Sequence, residues 1–165
     1  MGKRQLILET ESVAQTQALG LRLASWLRRG DVLALAGELG AGKTAFTQGL
    51  ARGMGITAAV TSPTFVLINR YVAPDGRVLQ HADCYRLADA PAEMWDIGLA
   101  DLFAGDDVVV IEWADRIVDL LPEEHLKVDF TYLNEARRRL RFVAHGVRYV
   151  ELLTACYSDL IPAPG

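Results

Sequence analysis

Eight residues, Gly37-Glu-Leu-Gly-Ala-Gly-Lys-Thr44, leave this chain few ways to fold. They follow a short apolar run, Asp31-Val-Leu-Ala-Leu-Ala36, and lead into a stretch of helical character from Lys43 to about Met54. The spacing G-x-x-x-x-G-K-[ST] between a strand and a helix is that of the Walker A phosphate loop. The chemistry asks for these residue types for separate reasons. Gly40 and Gly42 admit backbone conformations that a Cβ forbids. The loop can then turn its N–H groups inward and cradle an anion. The helix opening at Lys43 aims its positive end at the same point. Lys43 is placed to reach β- and γ-phosphates, and the Thr44 hydroxyl to hold Mg²⁺. The expected nucleotide-binding residues are therefore Glu38, Leu39, Gly40, Ala41, Gly42, Lys43, Thr44 and Ala45. The bland alternative is a glycine-rich turn that binds nothing.

A chain of 165 residues has room for one domain with a proper core, and its 51% apolar content suits a buried parallel sheet. The net charge of −4 argues against a broad nucleic-acid-binding face, although it leaves room for a local basic patch. The two cysteines, Cys84 and Cys156, lack metal-ligand spacing and read as free thiols in a reducing compartment. Met1 to Ser12 has no long apolar core of a signal peptide, and no run reaches the length of a membrane span. The expectation is a cytoplasmic protein, with a frayed tail over 161–165.

Lys3 to Leu8 reads as an edge strand. Ser12 and Gln15 have capping-box spacing at the head of a helix whose stripe is Leu19, Leu23, Trp26 and Leu27, with Gly30 as its terminator. That helix is mainly core packing, and Thr16 is a candidate for meeting a nucleotide base. Phe46, Leu50 and Met54 form the next helical stripe. Val60-Thr61-Ser62 is read as a short strand. Phe65 to Tyr71 and Val78 to Asp83 form an antiparallel hairpin around the turn Ala73-Pro-Asp-Gly76. Asp89 and Pro91 open a helix carrying Met94, Trp95 and Ile97. Val108 to Glu112 is a second apolar strand. Leu126 to Leu133 and Arg138 to Ala144 pair as a further hairpin, and the last helix runs from about Val147 to Asp159.

Three short sites follow the phosphate loop. In Thr61-Ser-Pro-Thr-Phe65 the hydroxyls of Thr61, Ser62 and Thr64 flank a rigid proline; such a loop can sense a γ-phosphate, or be an ordinary turn. In His81-Ala-Asp-Cys-Tyr-Arg86 the side chains of His81, Asp83 and Tyr85 share one strand face. Asp83 then resembles a metal-holding Walker B carboxylate, against the alternative of a capping Asp. His81 reads as a hydrogen-bonded structural residue rather than a base, and Arg86 as a partner for phosphate or for a neighbouring acid. In Ile111-Glu-Trp113 the carboxylate ends an apolar parallel strand and points into the ligand crevice, where Glu112 can hold Mg²⁺ or orient water. Trp113 reads as packing or a partner contact. Lys43, Asp83 and Glu112 are the candidate catalytic residues, and Thr44, Asp83 and Glu112 the candidate metal ligands.

The set GELGAGKT, SPTF, HADCYR and IEW, in this order and spacing, resembles one bacterial family over nearly the whole chain: the TsaE (YjeE) ATPases of tRNA threonylcarbamoyladenosine biosynthesis. The phosphate loop is generic; the four motifs together are specific. The resemblance implies an α/β fold, a single P-loop NTPase-like domain over residues 1–165. Its sheet would be mixed and mainly parallel, flanked by helices, with a C-terminal β-hairpin and helix. It implies ATP and Mg²⁺ as cofactors and slow hydrolysis by a protein that is monomeric alone. It implies two partners, the threonylcarbamoyl-transfer proteins of TsaB and TsaD type, and contact with tRNA only through that complex. Hydrolysis would support multiple turnover of the transfer machine. By the same resemblance Thr44, Asp83 and Glu112 match metal-linked and catalytic positions, Ser62 to Thr64 a switch-like loop, and Arg137 an arginine near the nucleotide. One departure is Ala45, where many members carry a second hydroxyl. Another is the density of the cluster Arg137-Arg-Arg-Leu-Arg141, which reads either as a solvated strand face or as a contact to phosphate.

Two rival classes share a phosphate loop. A small-molecule kinase needs an acceptor pocket and an arginine-rich lid, and residues 87 to 107 show no clear lid. A nucleotide-gated assembly module would bind ATP without hydrolysing it. A GTPase switch would need an N-K-x-D motif, which is absent.

Overall fold

The structure, a computed structural model, describes residues 2, 4–61, 68–85, 87 and 89–161. Its elements run β1 (Gln5–Thr10), α1 (Val13–Ala24), β2 (Val32–Gly37), α2 (Lys43–Gly53), β3 (Ile68–Val72), β4 (Val78–Asp83), α3 (Ala90–Asp96), α4 (Leu99–Ala104), β5 (Val108–Glu112), a 3-10 stretch (Ala114–Leu120), β6 (His125–Tyr132), β7 (Arg138–His145) and α5 (Val147–Leu160).

One seven-stranded sheet holds them together in the order β1-β7-β6-β2-β5-β4-β3. Parallel pairing joins the four central strands, β6 to β2, β2 to β5 and β5 to β4. Both margins are antiparallel hairpin-type pairs. The expected mixed α/β sheet is present, with its parallel part at the centre, where both faces are covered. β2 and β5 are apolar on both faces for that reason. The even-numbered β5 residues Val108 and Val110 join Leu33 and Leu35 in a core beneath α1, α2 and α5. Val109 and Ile111 join Val32 and Ala34 in a smaller core beneath α3, α4 and the 3-10 stretch.

The helices start where their caps dictate. The Ser12 hydroxyl accepts from the Gln15 N–H at 3.1 Å. The returning half of the expected capping box lands one residue early: the Gln15 side chain accepts from the Glu11 N–H, at 2.7 Å. The Asp89 side chain likewise caps α3 through the Ala92 N–H. α1 closes at Ala24, so Trp26 and Leu27 lie past its end, and Gly30, in the left-handed region at φ +88°, shapes the later turn into β2. Val60 and Thr61 are not strand, and the first hairpin strand begins at Ile68. Residues 62–67 and 162–165, on which the expected switch loop and most of the frayed tail fall, lie outside the described residues.

α1 and α2 meet backbone to backbone. A Cβ on Gly49 would stand 1.9 Å from the Gln17 carbonyl oxygen, and one on Gly20 would stand 2.2 Å from that of Phe46. Side chains are excluded there, which draws α2 tightly onto α1. On its other side α2 inserts Phe46, fully buried, edge-on to Phe130 with ring centroids 5.6 Å apart. α5 is fastened by ionic and polar bonds: Arg148 embraces Asp31 with Nε and Nη2 at 3.0 and 2.7 Å, and the Tyr149 hydroxyl accepts the Val32 N–H at 2.8 Å. The two cysteines are free and buried, and burial pushes the Cys84 thiol up to about 12 and the Cys156 thiol up to about 11.

Candidate functional site

β2 ends at Gly37 and the loop reverses into α2 within five residues, 38–42. Gly40 and Gly42 take φ of +78° and +105°, which a residue with a Cβ rarely adopts. Gly42 occupies the cap position of α2 and has no side chain to place over the helix opening. The positive end of α2 is thereby left facing the loop, the arrangement that receives anions.

Lys43 and Thr44 open the helix and point to different partners. Lys43 is 4% exposed, and its ammonium donates to the Gly37 and Glu38 carbonyls at 2.6 and 2.8 Å. It also sits 4.0 Å from the centre of the Trp113 ring. Burial lowers the Lys43 pKa, and Glu112, Asp115, Asp83 and Glu38 pull it the other way. The Thr44 hydroxyl donates to Glu112, 3.0 Å from Oε1 and 3.3 Å from Oε2.

The carboxylates come from the carboxyl ends of neighbouring parallel strands. Asp83 on β4 and Glu112 on β5 are register partners, and Glu112 stands opposite Leu35 of β2. The parallel pairing thus brings Asp83 and Glu112 to the end of the sheet from which the phosphate loop springs. Glu112 is 2% exposed. Its Oε2 meets Nε2 of His81, which is fully buried. Asp83 accepts the Tyr85 N–H at 2.8 Å. Burial raises the Asp83 pKa; the Tyr85 bond opposes this, and the charge of Glu112 adds to it. Two carboxylates that repel each other beside a half-buried hydroxyl are an oxygen donor set suited to a hard divalent cation. Among the described residues no group of three or more His, Cys, Asp or Glu side chains forms a metal site alone.

Trp113 belongs to this site more closely than its sequence position suggested. It is the single non-glycine among the described residues with positive φ, at 58°. The left-handed turn ends β5 sharply and brings the ring over Lys43. Tyr85 stacks against the other partner of this group, its ring centroid 4.8 Å from that of Trp113. Arg116 secures the β4 end by donating to the Cys84 carbonyl at 3.1 Å and to the Tyr85 carbonyl.

Arg137 is placed away from the loop. Its guanidinium pairs with Glu9 of β1, on the outer sheet face. Arg138 is the arginine beside the loop: Nε donates to the Gly40 carbonyl at 3.1 Å, and the guanidinium lies 4.4 Å from the centre of the Tyr132 ring. The signal was available in strand alternation. Arg138 has the parity of the core residues Leu140 and Phe142, whereas Arg137, Arg139 and Arg141 have the opposite parity. Arg138 also lines a small cavity with Ser12, Val13, Thr16, Gly40, Gly42, Ala45 and Ala136. Thr16 lies in its wall, almost fully buried, its hydroxyl 2.7 Å from that of Thr10. Glu38 and Leu39 form the exposed shoulder of the loop, and Ala41 packs into the core. Ser62, Thr64 and Arg86 lie outside the described residues.

Comparison with known proteins converges on one family. Residues 10–140 match the family model described as threonylcarbamoyl adenosine biosynthesis protein TsaE. The chain is 42% identical over 147 residues to the tRNA threonylcarbamoyladenosine biosynthesis protein TsaE of Bacillus subtilis (strain 168), covering 88% of this chain and 90% of that one. Identity to the protein of the same name from Streptomyces coelicolor is 48% over 111 residues, 67% of this chain and 74% of that one. A crystal structure of YdiB from Bacillus subtilis superposes with a TM-score of 0.80 at 37% identity, covering 96% of this chain and 97% of that one.

Proposed function

The chain belongs to the TsaE family of threonylcarbamoyl adenosine biosynthesis proteins, and we propose that it is the Mg²⁺-dependent ATPase of that tRNA modification. The observation that carries the reading is the gathering of Lys43, Thr44, Glu112 and Asp83 at one end of the central parallel strands. The relatives' names support the pathway; this constellation supports the chemistry.

Each residue has a task that follows from its position. The loop backbone and the opening of α2 hold the phosphates. Lys43 exchanges the Gly37 and Glu38 carbonyls for β- and γ-phosphate oxygens, which return the charge partner that burial denies it. Thr44 and the carboxylates of Asp83 and Glu112 are the groups that would hold Mg²⁺, whose contribution is to neutralise charge on the β- and γ-oxygens. Glu112 faces the γ-phosphate side and orients the attacking water. Water adds to the γ-phosphorus, the bond to the β–γ bridging oxygen breaks, and ADP, inorganic phosphate and a proton leave. The cavity lined by Thr16, Gly40, Gly42, Ala45 and Arg138 is the place for the nucleoside end. Arg138, not Arg137, takes the role of the nucleotide-side arginine.

Partners complete the reading. The site is rimmed by Leu39 and Tyr85, 70% and 42% exposed, apolar surface that a second protein would cover. The partners proposed are the two threonylcarbamoyl-transfer proteins, of TsaB and TsaD type, with tRNA reached through them. Hydrolysis would be slow in the isolated protein and faster when partners order the site. By linkage, ATP tightens the assembly by the factor by which the assembly tightens ATP. The test is phosphate release from ATP by the protein alone and with both transfer proteins and tRNA, alongside calorimetric titration of the partners with ATP, ADP or no nucleotide. Slow release alone and a rise with partners is the expected result. Equal partner affinity in all three states with unchanged release would overturn the coupling. Phosphate transfer to a metabolite would favour a kinase.

A further inference from the structure

Beneath the site lies a histidine for which the motif chemistry has no use. His81 is fully buried on β4, on the same face as Asp83 and two residues below it. A buried polar ring is costly unless both nitrogens are satisfied. Nε2 is satisfied by Glu112 Oε2. Nδ1 has no hydrogen-bond partner among the described residues. On that face its β4 neighbour Leu79 and the paired Val110 of β5 are fully buried and apolar. A bare lone pair there costs less than an orphaned N–H, so the proton belongs on Nε2 and is donated to Glu112. A core that wanted only bulk at residue 81 would take leucine and lose the orphan.

We propose that His81 is a positioning residue for phosphate release, acting through Glu112. Two donors, His81 Nε2 from below and the Thr44 hydroxyl from the side, fix the plane of one buried carboxylate. Oε2 is anchored by the imidazole. Thr44 spans both oxygens and is the donor that a metal would draw away, whereas His81 is not. When Thr44 turns to the nucleotide, Glu112 keeps one oxygen tied and presents the other, with its rotamer already set. The benefit is orientation without reorganisation at the moment of reaction. A carboxylate on an unbranched two-carbon stem, held only by its own strand, would swing among rotamers. His81 is fully buried and meets the site through Glu112 Oε2, so its effect runs through that carboxylate. This inference rests on the ATPase reading for its kinetic part, and its structural part stands apart from it.

The experiment has two arms. In the first, ¹⁵N-histidine labelling of the nucleotide-free protein reads the tautomer; His125 and His145, the other histidines, are assigned by substitution. The expected spectrum shows Nε2 of His81 protonated and Nδ1 bare, with the Nε2 signal displaced in Glu112→Gln. A proton on Nδ1, or no response to Glu112→Gln, overturns the contact. In the second arm, phosphate release is compared for the wild type, His81→Leu and His81→Gln, in the presence of the transfer proteins. His81→Leu is expected to lose about 10–100-fold in kcat, the usual size of an effect on the group that orients a metal-site ligand, with KM for ATP unchanged. His81→Gln keeps an N–H donor at similar reach and should recover part of the loss. In a Glu112→Gln background His81→Leu should cost little more. Equal kcat in folded His81→Leu, identical behaviour of Leu and Gln, or additive losses in the double variant overturn the proposal. A wild type that releases no phosphate overturns the ATPase reading, and the tautomer arm still decides the contact.

Discussion

Two clusters of charge in this molecule invite opposite conclusions from sequence and from structure. The Arg137-to-Arg141 run is the densest charge in the chain. Three of its arginines face outward: Arg137, just before β7, and Arg139 share Glu9, and Arg141 lies near Asp129, all partly in solvent. The phosphate-loop cluster is spread over residues 43 to 112 in the sequence and is almost sealed from solvent, with Lys43, His81 and Glu112 all buried. Exposed ion pairs are screened and contribute little, whereas buried ones change sharply when a partner goes. Density along a chain therefore says little about where charge acts. What matters is whether a charge keeps a partner after water is removed, and only Arg138, the inward member of the run, meets the phosphate loop.

The largest expected effect is at Glu112. Glu112→Gln should retain ATP and lower phosphate release by roughly 1,000-fold, as removal of an orienting or base group does. Single-turnover release alongside equilibrium ATP binding checks it, and wild-type release would move Glu112 to a purely structural role. Next is a buried pair outside the site. Arg148→Ala strands Asp31, which is 4% exposed, and should lower stability by about 2 to 3 kcal/mol in urea unfolding, with kcat in surviving native protein unchanged. A loss below the urea-curve error would show that solvent reaches the pair. Lys43→Ala should weaken triphosphate binding by about 100-fold, the worth of a charge-assisted contact, while leaving a folded protein. GTP binding as tightly as ATP in the parent protein would separately remove the adenine preference.

The smallest effect should come from the exposed cluster. The hydrogen bond from Arg139, aided by Arg137, holds the Glu9 carboxyl below its ordinary range. A lowered folded pKa adds stability above the unfolded value, which is lost as pH falls through the folded one. Glu9→Gln should therefore differ slightly from the parent at neutral pH and converge with it in acid. Paired thermal melts across that range test this, and a difference that grows in acid would reverse the sign and the comparison with it.

Much of the architecture was legible because it rests on short-range rules. The turn Ala73 to Gly76, the strand Val78 to Asp83 and the Asp89 cap need only turn chemistry, alternation and capping. The grouping of Thr44, Asp83 and Glu112 was legible too, because parallel strands deliver their carboxyl ends to one edge. Three things were not. Which arginine meets the loop depends on strand parity, and the resemblance pointed to the neighbour, Arg137. Trp113 over Lys43 depends on one left-handed residue, which no local preference announces for tryptophan. The end of α1 at Ala24 came earlier than its apolar stripe suggested, since Trp26 and Leu27 keep facing inward through a turn.

The strand order carries a consequence for synthesis. β2, which bears the phosphate loop, pairs with β5 and β6, so that Leu33 finds Val110 and Leu126 as its neighbours. As the chain leaves the ribosome, the apolar strand β2 and its loop emerge early, and one of their two flanking strands is made only near the end. Until then β2 has an open edge, which is the kind of surface that recruits chaperones or foreign strands. A chain halted between β5 and β6 would therefore carry Lys43, Thr44, Asp83 and Glu112 and still lack both Arg138 and the strand that closes the sheet beside β2.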